Sequence, residues 1–285
     1  MSTPESDRGE PSPAQRVAEA EPSGEERLAA AFDRIVEEGK PRLHRSLSGL
    51  LATGGVAGIE VSLGVFALIA VESATGSPLL AGLAFSFGFV ALLLGHSELF
   101  TEGFLVPVTV VAAREASMWQ MLRFWLGSAI GNLAGGWLLM WIAMTAYPTL
   151  LPTARRAAAY FIDAGITSRS FCMAVLAGAA ITLMTRMHNG TDSTPAKLVA
   201  SIATAFVLAG LRLSHSILES LLIFAALHSP DAGFGYLDWL GWFGWTVLGN
   251  IAGGIGLVTL LRLIRSHQMI VRHREEVEDS EAAPA

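Results

Sequence analysis

The chain has 285 residues, 52% of them hydrophobic and only 15% charged, with a mean hydropathy of +0.49 and a formal net charge of −6. Much of the acid sits in the two tails, Glu5 to Glu26 and Glu275 to Glu281, so the net charge describes solvated ends and does not point to a basic or nucleic-acid partner. One cysteine, Cys172, excludes an internal disulfide framework and any multi-cysteine metal site.

Residues 1–24, rich in Ser, Pro, Glu and Gly, read as a disordered acidic tail, and they lack the basic and apolar regions of a cleaved signal peptide. Over 25–44, Leu28, Phe32, Ile35 and Val36 fall at helical spacing among charged residues, which predicts an amphipathic helix on a membrane surface. Residues 45–265 then hold six hydrophobic units, about 47–71, 79–113, 120–147, 169–187, 195–228 and 234–264, each long enough to cross a bilayer. The second and fifth run well past the roughly 20 residues one crossing needs, and each carries a His-Ser pair in its middle. A helix, a break and a second helix explain both the length and the polar interruption. Residues 266–285 read as a charged tail.

Two landmarks recur. Gly95-His96-Ser97-Glu98-Leu99 followed by Gly131-Asn132-Leu133-Ala134-Gly135-Gly136 returns as Ser214-His215-Ser216-Ile217-Leu218 followed by Gly249-Asn250-Ile251-Ala252-Gly253-Gly254. The histidines lie 119 positions apart (215 minus 96) and the Gly-Asn blocks 118 (249 minus 131). A duplicated membrane domain is the reading, with repeats over about 45–148 and 168–265, and with three spans per half the repeats are inverted relative to each other. Lys and Arg concentrate on one side, at Lys40, Arg42, Arg45, Arg114, Arg123, Arg186, Lys197 and Arg262 onward, against Arg155, Arg156 and Arg169 on the other. That asymmetry predicts cytoplasmic termini in a multi-pass protein of a bacterial inner membrane. Asn132 and Asn250, beside packing glycines, are expected to hydrogen-bond across helices or to the backbone of the breaks.

The pattern resembles the formate/nitrite transporter family. Its second-span motif is matched by His96-Ser97-Glu98-Leu99-Phe100-Thr101-Glu102-Gly103, its fifth-span segment by Ser214-His215-Ser216-Ile217-Leu218-Glu219, and both Gly-Asn blocks are present. The resemblance covers about residues 25–265. It implies an all-α, aquaporin-like fold of six transmembrane helices with the second and fifth broken, a homopentamer, and a small monovalent weak-acid anion such as formate or nitrite as the transported partner, with no cofactor and no metal. Residue by residue, it implies that His215 is the central pore histidine, that Phe100, Phe104 and Leu208 form apolar constrictions, that Thr101 lies in the pore motif, that Ser117 stands at a loop position that gates or contacts the histidine, and that Thr182 stands where an asparagine is common. The chain departs from the family at Glu219, Ser214 and His96.

The physical chemistry of these residues runs in parallel. An imidazole titrates near neutral pH, so His215 is suited to offer an N–H to an anion or to exchange a proton with it. A bare anion meets a large desolvation penalty at an apolar constriction, whereas the neutral acid does not. Glu60, Glu98, Glu102, Arg212 and Glu219 all fall inside predicted spans, where each charge costs at least ~2.5 kcal/mol unless paired. An Arg212–Glu219 pair beside His215 would neutralise both, with Glu219 a candidate proton relay; His96 and Glu98 are further candidates for a proton relay or charge pair, with Glu98 otherwise expected to accept N–H groups of the first break and His96 to cap a helix there. Two other readings use the same fold: a channel for a neutral solute, hydrosulfide or ammonia, and a non-conducting membrane scaffold. Enzyme motifs (HExxH, a phosphate-binding loop, a dinucleotide fingerprint) are absent from the sequence.

Overall fold

The computed structural model describes residues 24–282, all helix and connection with no strand among them. The predicted acidic tail therefore lies, but for its last residue, outside the described residues. Helix α1 (Gly24–His44) buries Phe32, Ile35 and Val36 on one face, the stripe the spacing predicts. Next come α2 (Leu47–Thr75), α3 (Pro78–Gly95), a 3-10 turn (Phe100–Phe104), α4 (Val106–Ala112) and α5 (Met118–Ala146). Then follow α6 (Leu151–Ile162), α7 (Ser168–Asn189), α8 (Thr194–Gly210), α9 (Ser216–Leu227) and α10 (Tyr236–Ile251). A π-helical stretch (Ala252–Thr259), α11 (Leu260–Arg265) and α12 (His267–Ala282) complete the order.

Among the described residues, five helical stretches are long and apolar enough to cross a membrane: Leu47–Thr75, Pro78–Gly95, Met118–Ala146, Ser168–Asn189 and Tyr236–Arg265. The fifth predicted unit is missing from that set because its break divides it into α8 and α9, of 17 and 12 residues, each too short alone. Helix α2 packs on α3 and α5, α7 packs on α8, α10 and the π-helical stretch, and α3 joins the two groups through α8. Phe85, Phe89, Phe104, Leu208, Ile217 and Leu221 lie in one large cluster of buried side chains along that junction. Leu79, Leu83, Phe87 and Leu94 of α3 point outward, about half exposed, an apolar exterior that suits hydrocarbon rather than water.

Two α-helices lie outside both the six predicted units and the predicted amphipathic helix. Helix α6 falls in the connection between the third and fourth units, where its apolar stripe is short; it buries Ala154, Ala157, Ala158 and Phe161 against α9. Helix α12 occupies the predicted charged tail. Its Ile270 joins Phe32, Val36 and Ala113, and its Arg274 Nε donates to Ala112 O at 2.8 Å, so the C-terminal segment is docked on α1 and the end of α4.

Candidate functional site

Both broken helices stop in the same way. At the end of α3, His96 adopts a left-handed backbone (φ 52°) and Ser97 N donates to Leu92 O at 3.3 Å. At the end of α8, Arg212 is left-handed (φ 52°) and Leu213 N donates to Leu208 O at 2.9 Å. These are two Schellman stops, with the position usually given to glycine filled by long polar side chains.

An asparagine bridges each gap. Asn132 Nδ2 donates to Glu98 O (2.8 Å) and Gly54 O (2.9 Å), while its Oδ1 accepts Phe100 N–H (2.8 Å). Asn250 Nδ2 donates to Ser214 O (2.9 Å) and Ala174 O (2.8 Å), and its Oδ1 accepts Ser216 N–H (2.9 Å). Both asparagines are fully buried, and each satisfies one carbonyl and one N–H that its break leaves without helical partners. Close approach is possible because Gly58 and Gly178 face them: a Cβ on either would overlap the Asn132 or Asn250 carbonyl oxygen.

These contacts set a register the sequence comparison misses. The left-handed residues are 116 positions apart (212 minus 96), as are the residues flanking each bridge (216 minus 100, and 214 minus 98). His96 therefore corresponds to Arg212, and His215 to the fully buried Leu99. The two His-Ser pairs at spacing 119 are not structural equivalents. His96 is an exposed helix cap at the edge of a cavity, while His215 sits at the core of its break.

His215 is fully buried and starts α9. Its Nδ1 accepts Leu218 N–H at 3.1 Å, so the proton of the neutral ring resides on Nε2, which faces Thr101 Oγ1 at 2.7 Å. Glu219 Oε2 accepts the backbone N–H of His215 at 2.7 Å. Ring and carboxylate thus close the first turn of α9 reciprocally, a capping-box arrangement displaced by one residue. Phe100 and Phe104 stack edge to face at 5.3 Å between centroids, and with Leu208 all three are buried. Thr182, also buried, donates to Gly178 O at 2.9 Å.

Three expectations need correction. The Arg212–Glu219 pair does not form: the left-handed turn at Arg212 ends α8, so the two side chains do not share a helix, and Arg212 Nη2 reaches Glu72 Oε1 of α2 at 2.5 Å. Glu98 does not use its carboxylate on the break's N–H groups. It is held by Arg42 and by Arg45 (3.0 Å) from the α1 end of the chain, and only its backbone carbonyl joins the break. Ser117 does not reach the histidine; it is exposed and caps α5, accepting Gln120 N–H at 3.2 Å while Gln120 Oε1 accepts Ser117 N–H at 2.8 Å. Glu72, Arg42 and Arg45 were thereby missed as site residues. Glu72 was findable, as an acid within one turn of the end of the first apolar unit.

The site lies between two unequal cavities. One of about 480 Å³ opens on the side of α1 and is lined by Arg42, Arg45, His96, Ser97, Glu98, Glu102, His188 and Lys197, among others. The other, of about 10 Å³, is lined by Leu68, Glu72, Phe161, Arg212, Leu218 and Glu219, among others. Thr101 and His215 link the element that borders the first to the element that borders the second.

The family model for formate/nitrite transporters matches residues 29–264. The inner membrane protein YfdC of Escherichia coli is 25% identical over 256 residues, covering 86% of this chain and 79% of that protein. Formate-nitrite transporter 3 of Toxoplasma gondii is 26% identical over 250 residues, covering 80% of this chain and 49% of that protein, so the chain spans about half the length of that relative. Among solved structures, an FNT family ion channel superposes with a TM-score of 0.74 at 20% identity, over 81% of this chain and 96% of the other. A pentameric formate channel with formate bound gives 0.67 at 18% identity, over 76% and 96%. With a match over most of its length and the paired helix breaks in place, this chain belongs to the formate/nitrite transporter family.

Proposed function

We propose that the protein conducts a small monovalent weak acid, formate or nitrite, across a bacterial inner membrane through a pore within each protomer, past His215. The family match and the formate channel and inner-membrane relatives support the class and location, and the pentameric state of the formate channel supports five copies. Six spans in two inverted halves follow if α3 with α4, and α8 with α9, each make one crossing, and the Lys/Arg asymmetry then puts both termini in the cytoplasm. The observation that carries the reading is the buried Thr101–His215 contact, held between two helix breaks and flanked by Phe100, Phe104 and Leu208.

The tautomer constrains the mechanism. With Nδ1 occupied by Leu218 N–H, the neutral ring offers one hydrogen-bond donor, Nε2–H, and an anion takes it by displacing Thr101. Loss of the Nε2 proton to the anion leaves a neutral ring only if Nδ1 has gained one, which requires the Leu218 cap to open. In the capped state His215 therefore steadies the anion, and the proton that makes the neutral acid is delivered from the solution as hydronium, leaving water behind; with the cap open, His215, protonated on both nitrogens, gives up its Nε2 proton and is left neutral with the proton on Nδ1.

The test is formate and nitrite flux into proteoliposomes with an internal pH dye, across pH 5 to 8, for wild type, His215→Ala and Thr101→Val. Saturable, proton-linked flux that collapses in His215→Ala and weakens in Thr101→Val is the expected result. Wild-type flux no greater than that of empty liposomes would refute the reading in favour of another solute or a scaffold.

A further inference from the structure

We propose that the Glu72–Arg212 ion pair is the gate of the narrow mouth, and that Arg212, once released by Glu72, takes the carboxylate of a small organic acid there. The inference rests on the reading that the path runs past His215, and it adds a second recognition point three residues before it.

The first observation is the inequality of the two sides. The cavity on the α1 side is about 480 Å³, while the one bordered by Glu72, Arg212 and Glu219 is about 10 Å³, room for about one water and for no acid. That mouth must widen for any solute to pass. Its polar components are joined to each other: Arg212 Nη2 lies 2.5 Å from Glu72 Oε1, and the guanidinium sits over the Tyr160 ring at 5.2 Å. The pair thus ties α2, which carries Glu72, to the stop of α8, and Tyr160 of α6 covers it.

The second observation is the backbone at Arg212. A left-handed C′ position is where glycine is the default, because a Cβ is strained there. Local folding alone does not call for a long cation at this point, and the side chain is neither fully buried nor fully exposed, with 29% of its area accessible. A guanidinium binds planar carboxylates through a fixed fork of donors, so an incoming carboxylate can replace Glu72 without leaving Arg212 uncompensated. Glu219, whose Oε2 holds the His215 N–H, borders the same cavity, so a solute at Arg212 is next to the histidine's own helix.

Cysteine accessibility tests this without depending on transport. In solubilised Cys172→Ala protein, Leu218→Cys places a thiol on the small cavity, and the rate of its modification by a small anionic methanethiosulfonate is measured. With the pair intact the rate is slow. Glu72→Gln raises it at least tenfold, and millimolar formate slows the modification again. Arg212→Gln, which opens the pair from the other side, also speeds modification, but formate has no effect on it. Equal rates in the parent and both variants would overturn the gate; a fast Glu72→Gln thiol that formate does not protect would overturn the carboxylate site. Formate flux is measured in parallel on reconstituted protein with its natural Leu218. Absent wild-type flux, together with the accessibility pattern above, would fault the transport reading and leave the gate standing.

Discussion

The two helix breaks share a stop, a left-handed residue and an asparagine bridge, yet they are held by different forces. The first break is tied to the ends of the chain by charge. Glu98 takes Arg42 and Arg45, and Glu115, just past α4, takes Lys40 at 2.5 Å and His273 of α12 at 3.1 Å. The second break has an ion pair at its stop, Arg212 with Glu72, but around the histidine it is held from within: ring, hydroxyl, carboxylate and backbone converge on His215, and the helix that follows is buried over nearly its whole length. A tether of ion pairs to terminal helices responds to pH and salt, whereas a network of short-range hydrogen bonds in an apolar interior responds chiefly to loss of a member. The first break is thus secured to the chain's ends mainly by charge and the second around its histidine mainly by short-range hydrogen bonds.

The bridges offer the hardest test of this contrast. Asn250→Ala removes three buried hydrogen bonds and should cost about 3 kcal/mol of stability, as should Asn132→Ala. Thermal unfolding in detergent checks the shared loss. Flux separates the two, with Asn250→Ala expected to abolish it and Asn132→Ala to reduce it, because only the former's bonds flank His215. A smaller effect follows from Glu98→Gln, which leaves two arginines facing a neutral amide; we expect about 2 kcal/mol, discounted because the arginines are partly exposed, and faster proteolysis within α1.

His96→Gly sharpens the comparison in the opposite direction. It relieves the left-handed strain at an exposed residue and should stabilise the protein by about 1 kcal/mol, whereas Arg212→Gly relieves the same strain but gives up the Glu72 contact and should show no net gain in unfolding temperature.

The smallest effect concerns pH. The Lys40 ammonium, and after it His273, holds the Glu115 carboxyl below its ordinary value of 4.5. Its contribution is present above that value and is lost as pH falls through the lower, folded-state one. Hydrogen exchange in α12 should therefore rise in that acidic window with a global cost under about 1 kcal/mol, and Glu115→Gln should remove the dependence.

Hydropathy made the long spans legible, because a bilayer demands runs of apolar residues whatever their partners. The breaks were legible too, since a unit too long for one crossing must stop somewhere and a polar pair in its middle marks the place. Asn132 and Asn250 could be put at the breaks because they stand beside packing glycines. Helix α6 escaped because twelve residues between two spans carry too little periodic signal, and α12 because charge in a tail resembles solvated chain until a facing helix is known. The register escaped because His-Ser occurs in both halves at a spacing three residues longer than the one the backbone uses.

What the sequence determined alone was local: which segments are apolar, where they must interrupt, between which apolar segments Lys and Arg collect, and that a histidine occupies an interruption. Which groups meet was decided only by the tertiary structure. Arg212 is nearer in sequence to Glu219, yet a left-handed residue turned the chain and gave it to Glu72, 140 positions away. Glu98 found its arginines at the end of α1 and just past it, and Thr101 found His215 across 114 positions. A buried charge or imidazole takes whichever partner the packing brings within hydrogen-bond reach, and that reach is a property of the folded chain, not of spacing along it.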